Sequence, residues 1–253
     1  MKKYKICKIL LVILAIFLCV AFYELLGICV AYKKQPEVSN TTKKETKNGS
    51  WNECSENTER AVIIEKNPEA LLQRVRLIKN AKKEIILSTF AFQSDESGKL
   101  ILGALHDAAD RGVHIRLLVD GMESWIDMEG NPYFYGLSSH ENVEIKLYNK
   151  ANPLKPWKMM GRMHDKYLIA DGKRYILGGR NTYNYFLGDF PGHKNYDRDV
   201  LVVCDEPEKE NSVNQLLEYF ETIWEQEDSG YFHDNKKLAN RKSVKNAVLE
   251  LQN

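Results

Sequence analysis

No Cys-x-x-Cys pair and no Cys/His spacing of the kind a zinc site needs occurs in the chain, although it holds five cysteines. No group of carboxylates resembles a divalent-ion site. Neither a metal nor a cofactor is therefore expected. No segment repeats another, so an array or a duplicated domain is not expected either. Charge of one sign is also missing: 36 basic and 35 acidic residues leave a net charge of +1. That balance is uneven, because the first 50 residues carry a net +6 and the remainder a net −5. A net-acidic body argues against non-specific binding to nucleic acid, which needs a basic surface. What remains is ordinary globular composition, 43% hydrophobic and 28% charged over 253 residues. That length suits one good-sized domain with appendages.

The main departure from this plainness lies at the N-terminus. Residues 9–32 are apolar except for Glu24, and as a helix they would span about 36 Å against a hydrocarbon core of about 30 Å. No Ala-x-Ala cleavage site follows, and no lipid-attachment cysteine preceded by small residues is present. A retained signal anchor is thus expected, rather than a cleaved leader. Lys2, Lys3, Lys5 and Lys8 before the run favour the N-terminus inside and the body outside the cell. The organisation read from the sequence is a basic N-terminus (1–8), a single membrane-spanning anchor (9–32), a polar linker (33–60), a globular domain (61–228) and a C-terminal helical connection (229–253). Cys54 and Cys204 would pair outside the cell or remain two unrelated thiols; the spacing does not choose.

The globular part alternates helix and strand. Residues 68–83 place Leu71, Leu72, Val75 and Ile78 on one helical face, with Pro68 near the start. Strands are expected over 84–92, 113–120, 143–148 and 199–204, with helices over 99–111 and 211–226. This alternation predicts an α/β fold, a mixed β-sheet with helices on both faces.

One stretch carries the chemistry, MHDKYLIADGKRYILGGRN from Met163 to Asn181. It reads as a strand, an Asp171-Gly172 hairpin turn and a second strand. Alternation along a strand puts His164 and Lys166 on one face and Asp165 on the other. Gly178 and Gly179 would let the backbone approach something bulky before Asn181. A nucleophile, a fixed cation and an amide donor beside glycines suit a phosphoryl group.

The spacing His164-x-Lys166, then Asp171, then Gly178-Gly179-Arg180-Asn181 resembles the signature of the phospholipase D superfamily. The GGRN ending, with Tyr185-Phe186 after it, is similar to the N-terminal half of bacterial cardiolipin synthases. The resemblance runs from about residue 61 to about residue 227. It implies the fold already expected and a covalent phosphohistidine at His164. It also implies charge stabilisation by Lys166 and Asn181, and an acid that fixes the histidine tautomer. For that acid Asp199 is the choice and Asp197 the alternate. Asp171 belongs to the motif, but as a turn residue its role reads as structural. Gly178, Gly179, Arg180, Arg162 and Trp157 are the expected substrate-binding residues. Eight basic residues between Lys146 and Arg174, with Trp157 among them, read as a basic, aromatic lip for anionic lipid headgroups. The other five histidines show no partner pattern.

Family enzymes pair two such motifs, and this chain has one. The expected function is a membrane-anchored phosphatidyltransferase of the cardiolipin synthase type, acting as a phospholipase D when water is the acceptor. Its partners would be an anionic phospholipid, the membrane, and a second copy or a separate second half. The alternatives are a homodimeric single-motif endonuclease and a truncated, inactive half of a two-motif enzyme.

Overall fold

The computed structural model describes residues 2–33, 39–41, 43–44, 59–158, 160–206, 211–233 and 237–252. Most of the expected linker, Cys54 included, lies outside them. The chain forms two compact units, Met1–Ser55 with Ala151–Gly161, and Glu56–Lys150 with Arg162–Asn253. In the first, α1 (Lys2–Lys33) is one continuous helix, and Tyr4–Val30 within it is long and apolar enough to cross a membrane. A short 3-10 turn, Pro156–Lys158, belongs to the same unit, where the Tyr23 hydroxyl donates to the Leu154 carbonyl at 3.1 Å.

The second unit is a mixed eight-stranded sheet. Its strands are β1 (Glu59–Ile64), β2 (Glu84–Thr89), β3 (His114–Asp120), β4 (Val143–Tyr148), β5 (Lys166–Ala170), β6 (Arg174–Gly178), β7 (Asp199–Cys204) and β8 (Ser229–Tyr231). They lie in the order β1-β7-β6-β5-β2-β3-β4-β8. The β2, β3 and β4 neighbours run parallel and the remaining pairs antiparallel. The helices are α2 (Asn67–Asn80), α3 (Glu96–Asp110), α4 (Gly121–Asp127), α5 (Pro132–Ser138), α6 (Ser212–Trp224) and α7 (Lys242–Leu251). The expected α/β class therefore holds, with apolar cores on both faces of the sheet.

The alternation read from the sequence sorts those cores. Leu168 and Ala170 of β5 face one cluster, with residues of α2, α3, α5 and α7. Tyr167 and Ile169 face the other, under Val213, Phe220 and Trp224 of α6. Helix α2 begins with Pro in its first turn and buries Ala70, Leu71, Arg74, Leu77 and Ile78 at helical spacing. It ends at Asn80, three residues short of expectation, because the backbone N–H groups of Lys82, Lys83 and Glu84 are taken by the Asp171 carboxylate. No sequence signal marks β1, α4, α5 and β8: β1 opens inside the expected linker, and the other three span seven residues or fewer. The C-terminal segment, expected to be a connection, is docked: Val244 and Ala247 of α7 are buried, and Glu250 bonds Lys99 and Tyr133.

Strand direction decides where the motif meets. β5 is antiparallel to β2, so its first residue, Lys166, pairs with the last of β2, Thr89. β7 is antiparallel to β6, so Gly178 pairs with Asp199. The ends of β2 and β6 and the starts of β5 and β7 thus share one edge of the sheet.

Candidate active site

At that edge the ring of Phe90, just after β2, is the common neighbour of three basic residues. His164 stands edge-on to it with ring centroids 4.7 Å apart. The Lys166 ammonium lies 5.3 Å from its centroid and the Arg162 guanidinium carbon 4.9 Å. All three come from alternate positions, two of them in the segment that leads into β5. Phe90 was missed from the sequence; its place after a β-rich run beside a motif strand was the available signal.

His164 is exposed, and its carbonyl oxygen accepts the Lys166 ammonium at 2.7 Å. Lys166 is buried. Burial pushes it below the ordinary lysine range, while the carboxylates of Asp165 and Asp197 push it back up. Asp165 points to the opposite face, where it accepts from the Tyr219 hydroxyl at 2.9 Å; burial and that carboxylate push Tyr219 up to about 12. Asn181 is buried, and its Oδ1 accepts from the Ala91 N–H at 3.2 Å. That bond leaves the amide NH2 as the donating end.

The two glycines make room for acids rather than for a ligand. A Cβ on Gly178 would lie 2.0 Å from Asp199 Oδ1, and one on Gly179 would lie 1.9 Å from Asp197 Oδ2. Asp199, expected to orient His164, is fully buried between two arginines, with Arg74 at 2.8 Å and Arg180 at 3.2 Å. Its Oδ1 accepts no hydrogen bond among the described residues. Arg180, expected to bind substrate, is likewise enclosed, donating to Asn67 Oδ1 and to the carbonyls of Ile64 and Glu65. These two residues form the frame under the site. Asp197, like Asp165, is an acid whose charge reaches Lys166.

Arg162 reaches the site already occupied. It donates to Asp120 at 2.9 Å through Nε and lies 2.9 Å from Glu123 through Nη2. Asp120 Oδ2 also accepts from the Met163 N–H at 3.1 Å. Asp171 has φ +55 and Gly172 φ +60, the left-handed pair of a tight hairpin turn, at the far end of β5 from His164.

Within the second unit the basic residues of the expected lip do not share one surface. Lys146 is buried and donates to the Trp224 carbonyl. Lys173 and Arg174 sit at the hairpin's far end. Trp157, Lys155 and Lys158 belong to the first compact unit, where Trp157 is 44% exposed. Four further histidines have acidic partners after all: His106 and His140 share Asp110, His114 meets Glu144, and His233 meets Glu129. A cavity of about 430 Å³ is lined by residues of α5 and α7 with His106 and His140. It holds none of the motif residues.

A family model described as cardiolipin synthase, PLD-like domain, matches residues 74–224. A protein of Helicobacter pylori strain J99, itself uncharacterized, is 31% identical over 206 residues, covering 76% of this chain and 38% of that protein. Cardiolipin synthase C of Escherichia coli strain K12 is 29% identical over 171 residues, covering 62% of this chain and 34% of the enzyme. The chain thus spans little more than a third of the length of these two curated relatives. Among solved structures, phosphatidylserine synthase of Haemophilus influenzae Rd KW20 superposes with a TM-score of 0.57 at 18% identity, over 84% of this chain and 47% of that one. At that identity the likeness is one of fold.

Proposed function

Since the chain belongs to the phospholipase D-like domain family of cardiolipin synthases, we propose that it is a membrane-anchored phosphatidyltransferase. In this reading its body lies outside the cell and α1 holds it to the bilayer. The observation that carries the reading is the meeting of His164, Lys166 and Asn181 at one sheet edge. His164 is exposed there, its backbone carbonyl accepts the buried Lys166 ammonium, and the Asn181 amide oxygen is held by the Ala91 N–H.

The imidazole of His164 attacks the phosphorus of an anionic phospholipid, and the headgroup alcohol leaves with a proton supplied by a general acid. The phosphatidyl group rests on His164 until a second alcohol, or water, attacks, returns its proton to the group that acted as acid, and restores the free imidazole. Lys166 and the Asn181 amide stabilise the charge on the non-bridging oxygens. Asp197, rather than the enclosed Asp199, is the acid available to hold the histidine. Arg162 turns from Asp120 and Glu123 toward the headgroup phosphate.

The general acid in a two-motif enzyme is the second histidine. Here it comes from a second copy of the chain or from a separate second half, placed across the cleft by a two-fold axis. The test is full-length protein in vesicles containing phosphatidylglycerol, supplied with labelled phospholipid and quenched with alkali. The expected result is label bound to protein in an alkali-stable, acid-labile form, and absent from His164→Ala. Turnover with no such label, or label undiminished in His164→Ala, overturns the assignment.

A further inference from the structure

Helix α4 turns its polar side inward and its apolar side out. Gly121 and Ser124 are buried, Glu123 pairs with Arg162 and Asp127 accepts from Gln93. Met122, Trp125 and Ile126, at i, i+3 and i+4, share the outward face. Trp125 is 64% exposed and Ile126 65% exposed. This face is coupled to the site. Asp120 caps α4 through the Met122 and Glu123 N–H groups, and the same carboxylate holds Arg162 and the Met163 N–H, the two residues before His164.

We propose that the Met122–Trp125–Ile126 face of α4 seats in the headgroup region of a lipid bilayer and thereby brings the His164 edge to its substrate. The proposal rests on the phospholipid reading above and adds the surface that reads the membrane. Four observations favour a bilayer as the occupant. The patch is small: taking about 250 Å² for a fully exposed Trp, Trp125 and Ile126 offer about 300 Å². A stable protein partner needs about 800 Å² a side with close shape complementarity, whereas a bilayer needs no matching shape. Tryptophan next to an aliphatic residue suits the membrane interface, where its ring sits at headgroup level. The acids of α4 are turned away and bonded, so the outward face does not repel anionic lipid. The chain also carries its own candidate span.

The test uses the full chain in vesicles of phosphatidylethanolamine and phosphatidylglycerol, with or without brominated acyl chains. Emission of wild type minus that of Trp125→Phe isolates Trp125 from the other tryptophans. The expected result is a blue-shifted Trp125 contribution quenched by bromine near the headgroup end of the chain. Trp125→Glu/Ile126→Glu should lower turnover of vesicle lipid at least about tenfold. It should leave hydrolysis of the soluble diester bis(4-nitrophenyl) phosphate within about twofold, as neither Trp125 nor Ile126 belongs to the hydrolytic machinery. A Trp125 contribution that bromolipid does not quench overturns the proposal, whether acrylamide reaches it or a second copy shields it. Equal losses on both substrates overturn it too. Retention in alkaline carbonate reports α1 separately. If the chain is extracted, the anchor fails while added protein still reads Trp125. If neither substrate turns over, the catalytic reading fails while the quenching result stands.

Discussion

The ring of Phe90 stands edge-on to the imidazole of His164, with centroids 4.7 Å apart and planes at 62°. It offers the Lys166 ammonium a contact at 5.3 Å as well. One apolar side chain therefore restrains the proposed nucleophile and supports the charge beside it. A cation near an aromatic ring gains about 0.5–2 kcal/mol, more when desolvated.

Phe90→Leu should fold and lose activity about tenfold, with the alkaline limb of the pH–rate profile moved to lower pH. Burial already lowers the proton affinity of Lys166, so its charged form is lost at lower pH than for a free lysine. Removing the ring removes support for the cation and shifts the loss further. Phe90→Tyr should restore the wild-type limb. An alkaline limb unchanged in Phe90→Leu would show that the ring does not act on Lys166.

Lys166 also has a linkage consequence. Its folded-state affinity lies below the unfolded value, so the folded chain releases this proton first. Its contribution to stability therefore rises with pH between the two values. Lys166→Met should be more stable than wild type at neutral pH and should lose that advantage as the pH approaches the lysine range. Urea melts at several pH values measure the difference; an advantage constant with pH counts against it.

Asp171→Ala should destabilise the body by about 2–3 kcal/mol, because a charged acceptor of three backbone N–H groups is lost. The folded variant should keep wild-type turnover, since Asp171 lies at the far end of β5 from His164. A large fall in kcat with an unchanged melt would give Asp171 a chemical role instead.

Arg74→Met should cost about 3–5 kcal/mol, the usual loss when one partner of a buried ion pair is removed. Arg180 remains beside Asp199, so the lower end of that range is expected. Denaturant midpoints for Arg74→Met and for Arg74→Met/Asp199→Asn measure the effect. The double variant should recover part of the loss.

Dependence on a second chain has its own signature. Specific activity should rise with protein density in the vesicle, and excess His164→Ala chains should poison wild type, because each mixed pair keeps one histidine. Full specific activity from demonstrably single chains would exclude the paired site.

The sequence by itself determined what depends on neighbours along the chain. The Asp171-Gly172 turn, the alternation that puts His164 and Lys166 on one face, and the run that becomes α1 are each set by adjacent residues, and the α/β class by the order of such segments. The motif spacing identified the superfamily on the same local basis. The tertiary structure decided what depends on distant partners. Asp199 looked like the acid for His164 because it opens a strand next to the motif. It is instead paired with Arg74, 125 positions earlier, and the β1–β7 pairing, Ile64 against Asp199, sets it beside the strand that leads into α2. Arg180 looked like a substrate cation. It is buried because its guanidinium meets the carbonyls of Ile64 and Glu65 and the side chain of Asn67, more than 100 residues away. Basic residues close in sequence between Lys146 and Arg174 were read as one lip, but strand direction sends Lys173 and Arg174 to the opposite end of the sheet from His164. Phe90 and the outward face of α4 carry no local motif, and their roles arise from strand order alone. Burial and charge pairing are properties of contacts, and in this protein the contacts that select among identical charged side chains are nearly all long-range.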